Sequence, residues 1–217
     1  MFISRTREKI LRLFYERPER RIHLRGIVRT AGVNPQNAHK YLQEFVEDGL
    51  LLRSDSPQFV LYRLNPKNEI LFKIFELFEL RKKEEFKSNN PVLSRRLLRY
   101  MQVLGHLSEN EIRIIVLFGP AARGEWSERS KVDILTVSST KANPKKMARI
   151  HQEAAQKVRL MLTIESSNLA VDDFIQGFRK KKEFFAEFWE NRIVLYNEFL
   201  FWRLIRESKM KTKNLIL

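Results

Sequence analysis

Seven glycines and seven prolines are all that interrupt 217 residues, so each break carries positional information. Residues 4–15 are predicted as a helix, with Ile10, Leu11, Leu13 and Phe14 on its apolar face, and Pro18 closes it. A second short helix is predicted over residues 23–30, followed by the turn Ala31-Gly32-Val33. The third starts at Asn34 as N-cap with Pro35 in its first turn, runs to Asp48 and stops at Gly49. Its inward positions are Ala38, Tyr41 or Leu42, Phe45 and Val46. Residues 50–54 and 59–63 are predicted strands around the turn Asp55-Ser56-Pro57.

The pattern then changes. Residues 68–87 form one long predicted helix, apolar over a broad arc that includes Ile70, Leu71, Ile74, Phe75, Leu77 and Phe78. That arc suits either a dimer seam or ordinary core. Ser88-Asn89-Asn90-Pro91 breaks it. Beyond lie a helix over 92–104 and strands over 112–118 and 132–137. A helix over 144–158, a strand over 160–164, helices over 169–178 and 182–190, a strand over 193–196 and a terminal helix follow. Alternating helix and strand argue an α/β or α+β layer. The expected organisation is an α+β chain with a small N-terminal domain over 1–64, a linker helix over 65–91 and an α/β domain with a small mixed sheet over 92–217.

Charge and composition narrow the function. Cysteine is absent, which excludes disulfides, thiolate nucleophiles and Cys-ligated metal. The longest apolar runs, such as residues 114–118, fall far below the ~18 residues of a spanning helix. The first ten residues hold no apolar signal segment, so a cytoplasmic chain without membrane contact is expected. The formal net charge is +15, which favours a polyanionic partner. The excess is distributed: 12 basic against 7 acidic residues over 1–64, 9 against 6 over 65–110, and 20 against 13 over 111–217.

Three short helices, a tight Gly-containing turn between the second and third, and a two-stranded ribbon follow in order. Residues 4–63 resemble a winged helix-turn-helix domain, and 33–51 resemble the recognition helix and first wing strand of the ArsR- and MarR-like families. A helix entering a major groove keeps one side apolar and presents short polar or basic groups on the other. Gln36, Asn37, His39 and Lys40 stand on that side, with Asn34 at the start. Gln and Asn pair bidentately with adenine, and Lys suits a guanine edge or a phosphate. Arg25 and Arg29 on the preceding helix, and Arg53 and Arg63 on the ribbon, are candidate phosphate contacts. The four histidines lack metal-ligand spacing, so no metal site is expected.

Residues 116–137 read VLFGPAARGEWSERSKVDILTV. This resembles the nucleotidyltransferase signature: a strand, a Gly-Ser turn, an Ala-Arg-Gly stretch and an Asp-x-Asp on the next strand. The resemblance implies a turn that cradles triphosphate oxygens and two carboxylates that hold Mg²⁺ for pyrophosphate departure. Here the positions that carry the chemistry differ. Gly119 is kept, but the hydroxyl position holds Pro120, which has no N–H. The first metal-ligand position holds Lys131, an ammonium expected to pair with Asp133. Glu165 is the candidate third carboxylate, and Arg123 either binds an anion or braces the turn. The four-residue basic run at 179–182 is a nucleic-acid contact or a solvated helix start. Asp172 and Asp173 suit a helix first turn.

These features support a DNA-binding transcriptional regulator with a catalytically inactive transferase-like domain, used for dimerisation, sensing or partner contact. Double-stranded DNA is the expected partner; a homodimer and a protein bound by the C-terminal domain are candidates. No cofactor is expected. The alternatives are an active Mg²⁺-dependent nucleotidyltransferase and a non-enzymatic adaptor of a transcription or replication protein.

Overall fold

The computed structural model describes residues 4–55, 59–109, 111–127, 130–139, 143–158, 163–180 and 183–210. They fall into an α+β arrangement with two small sheets and two units, residues 4–75 and 76–210.

In the first unit, α1 (Arg5–Glu16) starts where the Ser4 hydroxyl accepts the Arg7 N–H, and buries Ile10, Leu11, Leu13 and Phe14. β1 (Ile22–His23) leads into α2 (Leu24–Ala31), then α3 (Pro35–Glu47), β2 (Leu51–Asp55) and β3 (Val60–Leu64). The strands form one antiparallel sheet in the order β1-β3-β2. β1 corrects the sequence expectation, which put His23 in the second helix. Two residues are too few to show a period, and the strand exists because Ile22 and His23 pair with Tyr62 and Leu61. Residues 56–58, which include Ser56 and Pro57 of the expected turn, lie outside the described residues.

α2 ends at Gly32, whose φ of +59 and N–H to the Val28 carbonyl make a left-handed cap. That turn sets α3 at an angle to α2 with Ala38, Leu42 and Phe45 buried and the opposite side in solvent.

The second unit holds most of α4 (Glu69–Asn89), then α5 (Pro91–Leu107) and a mixed sheet in the order β6-β5-β4-β7. Its strands are β4 (Ile112–Phe118), β5 (Lys131–Ser138), β6 (Thr163–Ala170) and β7 (Ile193–Tyr196). β5 and β6 run parallel with α7 (Pro144–Lys157) between them; β4 is antiparallel to β5 and β7. β4 is central, and its near-continuous apolar run suits a strand covered on both faces. One face packs Leu117, Val132 and Ile134 against Leu93, Leu97 and Leu104 of α5 and Met147 and Ala154 of α7. The other meets α8 (Val171–Arg179), α9 (Glu183–Glu190) and α10 (Glu198–Lys209) through Phe174, Phe185, Phe188, Trp189, Phe201 and Trp202.

Two expectations are corrected here. The strand expected over 160–164 lies later, at Thr163–Ala170; residues 159–162 are outside the described set. This is an edge strand with an ESSN centre, so it has little hydrophobic alternation to mark it. The connection expected as plain loop after β4 holds a short helix, α6 (Gly119–Ala122). In α4, Leu71, Phe72, Phe75 and Phe78 are buried while Ile70 and Leu77 are exposed.

Among the described residues, two polar networks are buried in this interior. Arg192 and Glu79 are both buried, 2% and 0% exposed, with Nη2 to Oε2 at 3.3 Å. Arg192 also donates to the Trp189 carbonyl at 2.8 Å and lies 3.7 Å over the Trp189 ring, while Glu79 accepts the Val194 N–H. Breaking one side of such a pair strands a charge. Glu79→Ala is expected to cost about 3–5 kcal/mol of unfolding free energy, and Glu79→Leu with Arg192→Met to recover most of it. Denaturant titration of the three chains measures this.

The second is a chain of hydrogen bonds: Tyr100 hydroxyl to His151 Nδ1, His151 Nε2 to Thr136 Oγ1 at 3.3 Å, and Thr136 Oγ1 to Asn168 Oδ1 at 2.9 Å. The Thr136 proton goes to Asn168, so His151 donates from Nε2 and accepts at Nδ1, which is the neutral imidazole. Burial pushes the His151 imidazole down to about 4 and the Tyr100 phenol up. The unfolded chain binds the His proton below about 6.5 and the folded chain resists it. The stabilisation is therefore complete above pH 6.5 and is lost as pH falls towards 4, by about 3 kcal/mol. His151→Gln is expected to flatten that part of the stability-against-pH curve.

Candidate functional site

The third helix carries the clearest surface of the first unit. Asn34 caps it by accepting the Gln36 N–H at 2.9 Å, so its carbonyl oxygen is spent on the helix rather than held out for a base. Gln36, Asn37, His39 and Lys40 are all exposed, as expected. The structure adds Gln43. Gln36, Lys40, Gln43 and Glu47 recur at i, i+4, i+7 and i+11, and all four are exposed opposite the buried Ala38, Leu42 and Phe45. Gln43 was legible from that spacing; attention to the N-terminal half of the helix passes over it.

Charge on this helix is arranged by α1. The Glu44 carboxylate is held by Arg7, whose guanidinium also sits 5.1 Å from the Tyr41 ring centroid. That contact turns an acidic side chain away from the stripe. The far end is held by two amides. Asn65 Nδ2 donates to the Gly49 carbonyl at 2.8 Å and Asn68 Nδ2 to the Asp48 carbonyl at 3.3 Å. Asn68 also accepts the Leu71 N–H, and so caps α4 while bracing the end of α3. Both ends of α3 are thus fixed by side chains, which stiffens the element that presents the stripe.

Arg25 and Arg29 lie one turn apart on α2, both exposed, with Gly26 and Ile27 buried behind them. The ribbon arginines do not share a face. Cross-strand partners do, and Arg53 pairs with Tyr62 while Arg63 pairs with Leu52. Arg53 also donates to Asp55 at 2.9 Å. Burial raises the Tyr62 phenol, and Arg53 beside it works the other way. Arg63 is half-buried on the opposite face. The ribbon therefore presents the two guanidinium groups in different directions.

In the second unit the structure brings Gly119, Lys131, Asp133 and Glu165 together. Phe118 is opposite Asp133 in the antiparallel β4–β5 pair, and Asp133 is level with Glu165 in the parallel β5–β6 pair. Lys131 and Asp133, two apart on β5, share a face. One expectation is corrected: the partner of Lys131 is Glu165, not Asp133. The hydrogen bond and charge of Glu165 push the Lys131 ammonium up, and Asp133 adds to this. Glu165 stands diagonally across from Lys131, two residues beyond its direct partner Thr163 and on the same face, within reach of the long Lys stem. Arg123 Nη2 and Nε donate to Glu125 at 2.7 and 3.0 Å and hold that carboxyl below its ordinary range.

The turn itself is closed. Gly119 has φ +68, and a methyl there would overlap the Asp133 carboxylate. Pro120 offers no N–H, and its carbonyl accepts from Arg123 and Glu125 at 3.0 Å each. The residues do not fit a two-metal centre: the Lys131 ammonium stands beside Asp133 and is paired with the Glu165 carboxylate. Among the described residues no group of three His, Asp or Glu is placed to hold a metal ion.

No protein-family model matches the chain, and no curated protein does. Among solved structures it is similar to TrmBL2, an archaeal chromatin protein whose structure shows a novel mode of DNA binding. The identity is 12%, over 83% of this chain and 76% of that chain, with a TM-score of 0.22. Among the described residues no helix is long and apolar enough to cross a membrane.

Gly119→Ala is expected to destabilise the chain by about 1–3 kcal/mol, from a left-handed backbone plus the clash with Asp133. Gly119→Ala with Asp133→Ala should lose only the backbone part. Thermal melts of the single and double variants check this; equal losses would mean that Asp133 does not press on the turn.

Proposed function

We propose that the unit built from α1 to β3 is a winged helix-turn-helix that binds double-stranded DNA with α3 in the major groove, and that the protein acts as a transcriptional regulator. The observation that carries this reading is the outer stripe of α3: Gln36, Lys40 and Gln43 exposed on a helix fixed at both ends, with Glu44 drawn onto Arg7. Gln amides suit an adenine edge, and Lys40 a guanine edge or phosphate. Arg25 and Arg29 on one face of α2 suit the phosphate backbone, and the net charge of +15 favours the polyanion at long range.

The second unit is, on this reading, a catalytically inactive nucleotidyltransferase-like domain that serves dimerisation, sensing or contact with a partner, and uses no cofactor. Support comes from the ammonium of Lys131 on Glu165 and from Pro120 in the turn. A protonated amine repels the cation the chemistry would need.

In vitro selection of random duplex DNA on the full-length chain at physiological salt tests the first half. Enrichment of a motif is the expected result, and failure to retain duplex DNA even at low salt would overturn it. Lys40→Ala should weaken binding and, if Lys40 meets a phosphate, lower the slope of log K against log salt by about one unit. Gln43→Ala should alter the selected motif at the end that Gln43 faces. Mg²⁺-dependent pyrophosphate release from any nucleoside triphosphate, lost in Asp133→Ala, would overturn the second half.

A further inference from the structure

The second unit holds a cavity of about 330 Å³ that neither the proposed DNA contact nor the altered turn uses. It lies between the last turns of α4 and the first three turns of α5. Its wall is apolar, formed by Phe86, Leu97, Leu98, Met101 and Leu195. Its size is at the lower end of small-molecule sites, which pair such walls with a few convergent polar groups.

The charged groups here are all of one sign. Lys83, Lys87 and Arg95 line the cavity, and no Asp or Glu does among the described lining residues. Lys83 is held by Glu198, and Lys87 reaches the exposed Glu84 at 2.7 Å. Arg95 uses only Nε internally, on the Pro91 carbonyl at 3.3 Å, so its terminal fork stays available.

An apolar wall and an arginine fork call for one hydrocarbon body with one anionic head. We propose that this cavity binds a medium-chain carboxylate. The hydrocarbon lies against Phe86, Leu98 and Met101, and the carboxylate accepts from Arg95. Inorganic phosphate would meet the same donors but gain nothing from the wall, and an alcohol of equal length would use the wall without the charge-assisted bonds.

Isothermal titration of the full-length chain with decanoate, kept below its aggregation concentration, tests this. The expected result is saturable one-to-one binding, with decanol and inorganic phosphate at least tenfold weaker. Arg95→Gln should raise Kd about tenfold, as expected for loss of a charged hydrogen bond. Leu98→Glu should abolish binding by placing a carboxylate in the wall. Arg95 is exposed and Leu98 is 53% exposed, so both variants should keep the parent far-UV circular dichroism. Absence of saturable decanoate binding, binding unchanged in both variants, or phosphate binding as tightly as decanoate would each overturn the proposal. None of these outcomes depends on DNA being the partner of the first unit.

Discussion

The buried pair of Glu79 and Arg192 ties α4 to the segment between α9 and β7. Glu79 comes from α4, and Arg192 sits just before β7, against Trp189 of α9 and the rings of Phe201 and Trp202 from α10. Each charge has lost its water, so each must be met by the other and by fixed dipoles. The Trp189 carbonyl and the Val194 N–H supply those dipoles, and both belong to the segment that turns from α9 into β7. The pair therefore specifies where β7 enters beside β4. Hydrophobic burial alone tolerates sliding; two desolvated charges with directional partners do not.

Much of the backbone was legible in the sequence because its signals are local. Ser4, Asn34 and Pro35 mark helix starts by satisfying or removing orphan N–H groups, and Gly32 marks a stop by tolerating a left-handed backbone. The central strands β4 and β5 were legible because both faces are covered and the apolar run is nearly unbroken. β1 and β6 were not. One is two residues long, and the other is a polar edge, so each exists by virtue of a neighbour distant in sequence.

The same distinction holds for the candidate sites. The exposed half of α3 follows from helical spacing, which also places Gln43. The partner of Glu44 does not, since Arg7 lies 37 residues away on another helix. At the start of β5 the sequence places Lys131 two residues before Asp133, but only the pairing of β5 with β6 brings Glu165 onto the same face as its partner. Local chemistry names the groups, and register assigns the pairs.

The amides of Asn65 and Asn68 bear on how such a surface can change over time. They hold α3 by the carbonyls of Asp48 and Gly49, that is, by backbone atoms every residue type would provide. Asn34 likewise holds its start through a backbone N–H. The side chains facing solvent take no part in keeping the helix where it is. Change at Gln36, Lys40 or Gln43 can accordingly remake that surface without a compensating change in the scaffold, so that the mount is inherited while the face it carries is recut.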